Sequence, residues 1–419
     1  MKQLPLCWLL AATALPVQAD VAQGLQCLQT KNYSCALQEF TTAAEAGDAK
    51  AQVELGELYA DGTGVPSDFV KAVQWFDKAA AQGNADGQNF AADFYLTGNG
   101  VSQNVNKAIA LYEKASAQNH IKALISLGNI YMQGMGVAVD LPKARGLFEK
   151  ASALGGHGAT YNLGYLYLYG PDKDLVKGTA LIRQAAEHGL PLAQGVLGEQ
   201  YRNGYGVTRD PAQAVLWFEK AAKQQEPQSQ LLLADCYARG EGVKQNDQQA
   251  AIWYEKAAQQ GLPEAQLVLA GLYEQGKGVP KQPATAFDWY LKVANKRDRQ
   301  AQMKVAEAYF HGQGVAKDAA AAARWYQLAA DNGHREAQMA LAELYRQGVG
   351  VPANAERAFN LLLEVASTGY AKAEYQVGLM YEQGVGVLQD LVAAQQWYQR
   401  AADHGDAAAK LKLAATQAH

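Results

Sequence analysis

The most constraining feature of this chain is a ruler of tyrosines. Tyr59, Tyr95, Tyr131, Tyr167, Tyr201, Tyr237, Tyr273, Tyr309, Tyr345 and Tyr381 stand 36 residues apart, except for one step of 34 between Tyr167 and Tyr201. All but Tyr167 are followed three residues later by Gly-x-Gly-Val. A period of this length predicts units that bury their apolar faces only by stacking on their neighbours. The 419 residues therefore read as one elongated all-α array, where length alone would suggest two or three globular domains.

Within the unit beginning at Ala49, the spacing of Ala51, Leu55, Gly56 and Tyr59 predicts a first helix with a narrow apolar stripe. The Gly56 row holds only Gly or Ala, as at Ala92, Gly128, Gly164 and Ala234, which implies close helix approach. Gly62-x-Gly64 ends the helix, because glycine reaches positive φ at little cost, and Val65 returns to the core. Asp68, Asn104, Asp140, Asp174 and Asp210 begin a row of N-cap residues for a second helix, broken only by Gln282. Ala72, Trp75, Phe76, Ala79 and Ala80 form the buried face of that helix, and the Trp75 row is read as core filling.

The pattern Ala-x-x-x-Leu-Gly-x-x-Tyr-x-x-Gly-x-Gly-Val, then Lys-Ala-x-x-Trp-Phe-x-x-Ala-Ala-x-x-Gly, resembles the Sel-1-like repeat, a relative of the tetratricopeptide repeat. The resemblance covers residues 49–406 as ten repeats and implies a superhelical solenoid of antiparallel helix pairs. Residues 20–48 resemble a tetratricopeptide-like hairpin and residues 407–419 a lone helix, both expected to cap the stack. The resemblance further implies a protein-binding scaffold in envelope assembly, exopolysaccharide export or host interaction.

Residues 1–19 read as a cleavable signal peptide: Lys2, a short apolar stretch from Leu4 to Leu15, and Val17-Gln18-Ala19. A periplasmic or secreted protein is expected, without membrane insertion. Export permits disulfides. Cys27 and Cys35 flank a short turn, so a bridge between adjacent helices is sterically open, with two buried thiols as the alternative. Their spacing also resembles the helix-linking disulfides of cysteine-rich bacterial members of the family. Cys236 falls in a row otherwise occupied by Leu58, Ile130 and Leu272, and reads as a reduced core residue.

A net charge of -4 and the absence of a Lys/Arg run give no reason to expect nucleic acid. The repeated Gly-x-Gly lacks the preceding strand and the Lys-Ser/Thr of a phosphate loop. Histidines are dispersed near turns and read as surface residues. No metal-ligand spacing, nucleophile elbow or triad is present, so no catalytic residue, cofactor or metal is assigned. The rival reading, by analogy with cysteine-rich relatives, is an enzyme or small-ligand binder acting on cell-wall or β-lactam compounds.

Partner-binding candidates come from departures from the repeat. The Glu57 row is mostly acidic or amide, including Asp93, Asn129, Glu199, Asp235, Glu307 and Glu343, and reads either as a stripe for a basic segment or as a solvated face. In the fourth repeat that row becomes Tyr165, with Tyr161 and Tyr169 one turn away on either side. The same repeat loses two residues and its second Gly-Val, so a local weakening is expected over residues 169–180. Tyr375 is a smaller echo. The candidate surface is therefore Tyr161, Tyr165, Tyr169, Glu199, Asp235 and Tyr375, offered to a protein or peptide; tight local packing is the plainer alternative for the tyrosines.

Overall fold

The computed structural model describes residues 21–417. The leader expected over residues 1–19 lies outside them, as do Asp20 and the last two positions of the terminal segment. Among the described residues every regular element is an α-helix, twenty-three in all, most of them 13 residues long. The fold is an all-α solenoid of helix pairs, and within each of its two units successive helices pack on one another.

The chain divides into two compact units, one ending at Leu197 and the other starting at Gly198. The first holds a hairpin, Val21–Gln29 with Tyr33–Glu45, and then four pairs from Ala49–Asp61 with Phe69–Ala81 to His157–Tyr169 with Leu175–Glu187. The second unit contains the pairs from Pro211–Lys223 onward, ending with Ala407–Gln417.

Local chemistry explains each boundary. Gly62 takes φ 71°, and its amide donates to the Leu58 carbonyl, closing the first helix. The chain then folds back, with the Asp68 amide donating to the Tyr59 carbonyl at 2.8 Å. The Asp68 side chain accepts from the Lys71 amide at 3.0 Å and starts the second helix. The second glycine serves the neighbouring repeat. A Cβ at Gly136 would lie 2.6 Å from the Val105 side chain, at the start of the preceding second helix.

The core sits between the paired helices. Phe76 is fully buried, and its ring lies where a Cβ on Gly56 would be, 2.5 Å away. Phe148 covers Gly128 and Phe218 covers Gly198 in the same way. The small-residue row is therefore a seat for the ring after the tryptophan. The tryptophans themselves are mostly half-buried, against the sequence reading. Trp253 carries the Lys256 ammonium 3.9 Å above its ring, and Trp289 carries Lys292 at 3.9 Å. Their position at the edge of the helix pair leaves one face for solvent and a cation.

The histidine reading also changes. His120 and His334 are half-buried N-caps whose Nδ1 atoms accept from the Ala123 and Ala337 amides at 3.1 and 3.3 Å. An imidazole nitrogen there replaces the carboxylate or amide oxygen of Asp48 and Asn84.

Candidate functional site

Two rows of the first helices decide what the candidate residues can do. The Glu57 row faces the second helix of its own repeat, and that helix often reaches back with a tyrosine. Tyr254 donates its hydroxyl to Asp235 Oδ1 at 2.5 Å, and Tyr112 donates to Asp93. Burial and the adjacent carboxylate push both phenols well above their ordinary range. Where the row lacks an acid, the acceptor moves one turn along. Gly271 and Leu379 occupy the row, and Tyr290 and Tyr398 donate instead to Glu274 at 3.0 Å and Glu382 at 2.7 Å. Two acids of the stripe, Asp93 and Asp235, are thus internal acceptors for buried hydroxyls.

Asp235, one of the sequence candidates, is engaged in this way. Glu57 and Glu199 differ, since their second helices offer Phe76 and Phe218, which carry no hydroxyl. Burial, with Glu54 and Asp61 nearby, raises the Glu57 carboxyl to about 7. Burial also raises that of Glu199. Tyr375 lies at the last repeat, half-buried, with its ring 5.6 Å from that of Tyr398 and against Ala401 and Ala409. It is part of a small terminal core.

The three tyrosines of the fourth repeat do form a cluster. Tyr161, Tyr165 and Tyr169 run along helix His157–Tyr169, with centroids 6.4 Å apart for the first pair and 4.7 Å for the second. Tyr165 is 44% exposed and Tyr169 47% exposed. Opposite them the second helix supplies Ile182 and Gly178, both buried; Leu168 occupies the space that a Cβ on Gly178 would take. The repeat therefore fills its core with aliphatic groups and leaves the tyrosine rings outside it. The three tyrosines lie together in the first unit; Glu199, Asp235 and Tyr375 belong to the second.

The shortened loop is absorbed at its base. The Asp174 amide still donates to the Tyr167 carbonyl at 2.9 Å, as Asp68 does to Tyr59. Gly170, however, caps its helix with φ -73° and ψ 176°, unlike the left-handed caps of the intact loops. Without the second Gly-Val, an open groove of about 600 Å³ lies between Leu141, Pro142, Pro171 and Asp172.

Sequence reasoning missed a further row. Gln52 donates to the Ala44 carbonyl of the preceding hairpin at 3.1 Å and accepts from Gln82, at the end of its own repeat, at 2.8 Å. The same pairing joins Gln88 with Gln118, Gln230 with Gln260 and Gln302 with Asn332. In the last repeat it becomes ionic: Glu374, 0% exposed, meets His404 Nδ1 at 2.7 Å and Arg400 Nη2 at 3.2 Å. The recurring Ala-Gln dipeptide, as at 51–52, 265–266 and 337–338, was the signal that could have exposed it.

Among the described residues no group of His, Cys, Asp and Glu is arranged to hold a metal ion, and no helix is long and apolar enough to cross a membrane.

The Sel1 repeat profile matches residues 49–84, 85–120, 121–156, 157–190, 191–226, 227–262, 263–298, 299–334, 335–367 and 371–406. The chain is similar to c5321, a protective antigen present in uropathogenic Escherichia coli strains displaying an SLR fold, at 31% identity and TM-score 0.55 over 87% of this chain and 86% of that one. It is also similar to a Sel1 repeat protein from Oxalobacter formigenes, at 27% identity and TM-score 0.47 over 82% of this chain and 89% of that one. Among curated proteins none matches the sequence. With ten consecutive matches across most of its length, the chain belongs to the Sel1 repeat family, a tetratricopeptide-like solenoid.

Proposed function

We propose that the protein is an exported, non-enzymatic scaffold whose fourth repeat holds a protein or peptide partner through Tyr161, Tyr165 and Tyr169. The observation that carries this reading is the exposure of Tyr165 and Tyr169, 44% and 47%, in a repeat whose core is already filled without them. A tyrosine buries a large ring against a partner at modest entropic cost while its hydroxyl stays hydrogen-bonded. Three such neighbouring rings, the central one, Tyr165, standing where adjacent repeats carry Asn129 and Glu199, make a recognition patch. Within the second unit, Glu199, half-buried and facing Phe218, is a separate candidate contact for a basic group, while Asp235 and Tyr375 are already engaged internally.

Export accords with the leader-like first residues, with the Cys27–Cys35 bridge and with the antigen c5321 as a relative. Roles in envelope assembly or host interaction fit this placement. The test begins with in-cell crosslinking and capture of the mature chain, followed by affinity measurement on the identified partner. Tyr165→Glu restores the usual chemistry of the row, so folding is expected to be kept. Binding should fall by about 2 kcal/mol, roughly thirtyfold. Unchanged affinity with a sharply lower melting temperature would assign the tyrosines to packing and end the proposal.

A further inference from the structure

A cavity in the second unit has an identifiable cause in the sequence. Ala308 is the smallest residue of a row that elsewhere holds Leu58, Phe94, Ile130, Leu166, Gln200, Cys236, Leu272, Leu344 and Met380. With only a methyl group at this position, a cavity of about 390 Å³ opens beside it, floored by Ala286, Phe287 and Ala308. Its polar wall carries two acids and two bases. Lys304 Nζ lies 3.8 Å from Glu274 and 3.6 Å from Glu307, so one ammonium stands between two carboxylates at ion-pair distance. Lys281 is at the exposed rim, and Tyr290 donates to Glu274 at 3.0 Å. An apolar floor under two charges of each sign suits a ligand with the same distribution.

We propose that this cavity binds a small aliphatic zwitterion of dipeptide size, with its ammonium at Glu274 and Glu307 and its carboxylate at Lys281 and Lys304. One aliphatic side chain takes the space over Ala308 that a leucine fills in other repeats. The charges select uncapped termini, and the volume exceeds what a single free amino acid fills. This inference goes beyond the tyrosine patch and rests on other residues.

Calorimetric titration of the full chain with Leu-Leu, free leucine, N-acetyl-Leu-Leu and Leu-Leu-amide tests it. Leu-Leu should bind; each capped ligand should be weaker by about tenfold or more, the worth of one lost charged contact, and free leucine, which keeps both charges, by about tenfold or more because it leaves much of the apolar floor uncovered. Ala308→Leu should abolish binding while holding or raising the melting temperature, because it fills the cavity with the residue type of the row. Glu307→Gln serves as a second variant, expected to weaken Leu-Leu about tenfold. Absence of binding by Leu-Leu, capped ligands binding as well as Leu-Leu, or undiminished affinity in Glu307→Gln or in a folded Ala308→Leu would overturn the proposal.

Discussion

At the scale of single residues, hydroxyl and acid are placed as pairs. When row positions become Gly271 and Leu379, an acid appears three residues on, at Glu274 and Glu382, and the tyrosine follows it. A buried phenol needs an acceptor, and leaving it without one costs about 1–3 kcal/mol. Glu57 has no such phenol opposite and yields a pH prediction. Burial raises its folded-state carboxyl to about 7 from an ordinary 4.5. The folded state therefore binds more proton between those values, and this group lowers stability as pH rises through that window. Glu57→Gln should melt higher than the parent at pH 8 and close to it at pH 5. Discounted for partial exposure, the gain is about 1 kcal/mol; equal melting temperatures at pH 8 would contradict it. The aromatic pair of the second helix gives another test. Phe218→Ala, from a fully buried seat on Gly198, should cost about 3–5 kcal/mol in denaturant unfolding. Trp253→Ala, half-buried beneath Lys256, should cost about 2 kcal/mol. Reversal of that order would return the tryptophans to the core.

At the scale of elements, the fourth repeat shows what a loop can lose. The bond from Asp174 to Tyr167 retains the fold-back of the chain, while the left-handed cap and the glycine seat on the preceding helix are gone. Protection from hydrogen exchange should therefore dip over residues 170–174 alone, with helix Leu175–Glu187 as protected as its counterparts. Faster exchange running to residue 180, as the sequence suggests, would show that the lost contact loosens the helix too. The joints between repeats are a separate device. A glutamine that donates to a carbonyl of the preceding unit and accepts from the end of its own repeat's second helix satisfies buried polar atoms without charge. Glu374 takes only the accepting half of this role, pairing with His404 and Arg400 inside its own repeat.

At the scale of the molecule, stability is a sum of repeats and of the interfaces between neighbours, so the ends are the weak points. Among the described residues the first hairpin has a stacking neighbour on one side only, and it carries the Cys27–Cys35 bridge, with Cα atoms 5.8 Å apart. Closing this short loop is worth about 2–3 kcal/mol. Reduction should loosen residues 21–45 first in hydrogen exchange, leaving later repeats protected. Cys236 is buried and free, with its thiol pushed up to about 11 by burial. Alkylation and intact mass should find one disulfide and one slowly reacting thiol; a Cys236 released only by reductant would contradict this pairing.

The sequence by itself determined the helix pairs, their caps, the glycine turns and the family. Each of these rests on a residue type recurring at a fixed interval, and near-neighbour physics suffices to read it. Asp68 and its row cap a helix wherever they start one, and Gly62 turns left because no side chain forbids it. The tertiary structure decided which surfaces those elements leave over. Nothing local distinguishes Asp235, held by Tyr254, from Glu199, opposite a phenylalanine, because the difference lies nearly twenty residues away on the facing helix. The same holds for Trp75, which shares its helix with Phe76 but not its depth, and for Ala308, whose small side chain becomes a cavity only between two further helices. Periodicity specifies what repeats, while burial and pairing depend on what packs across.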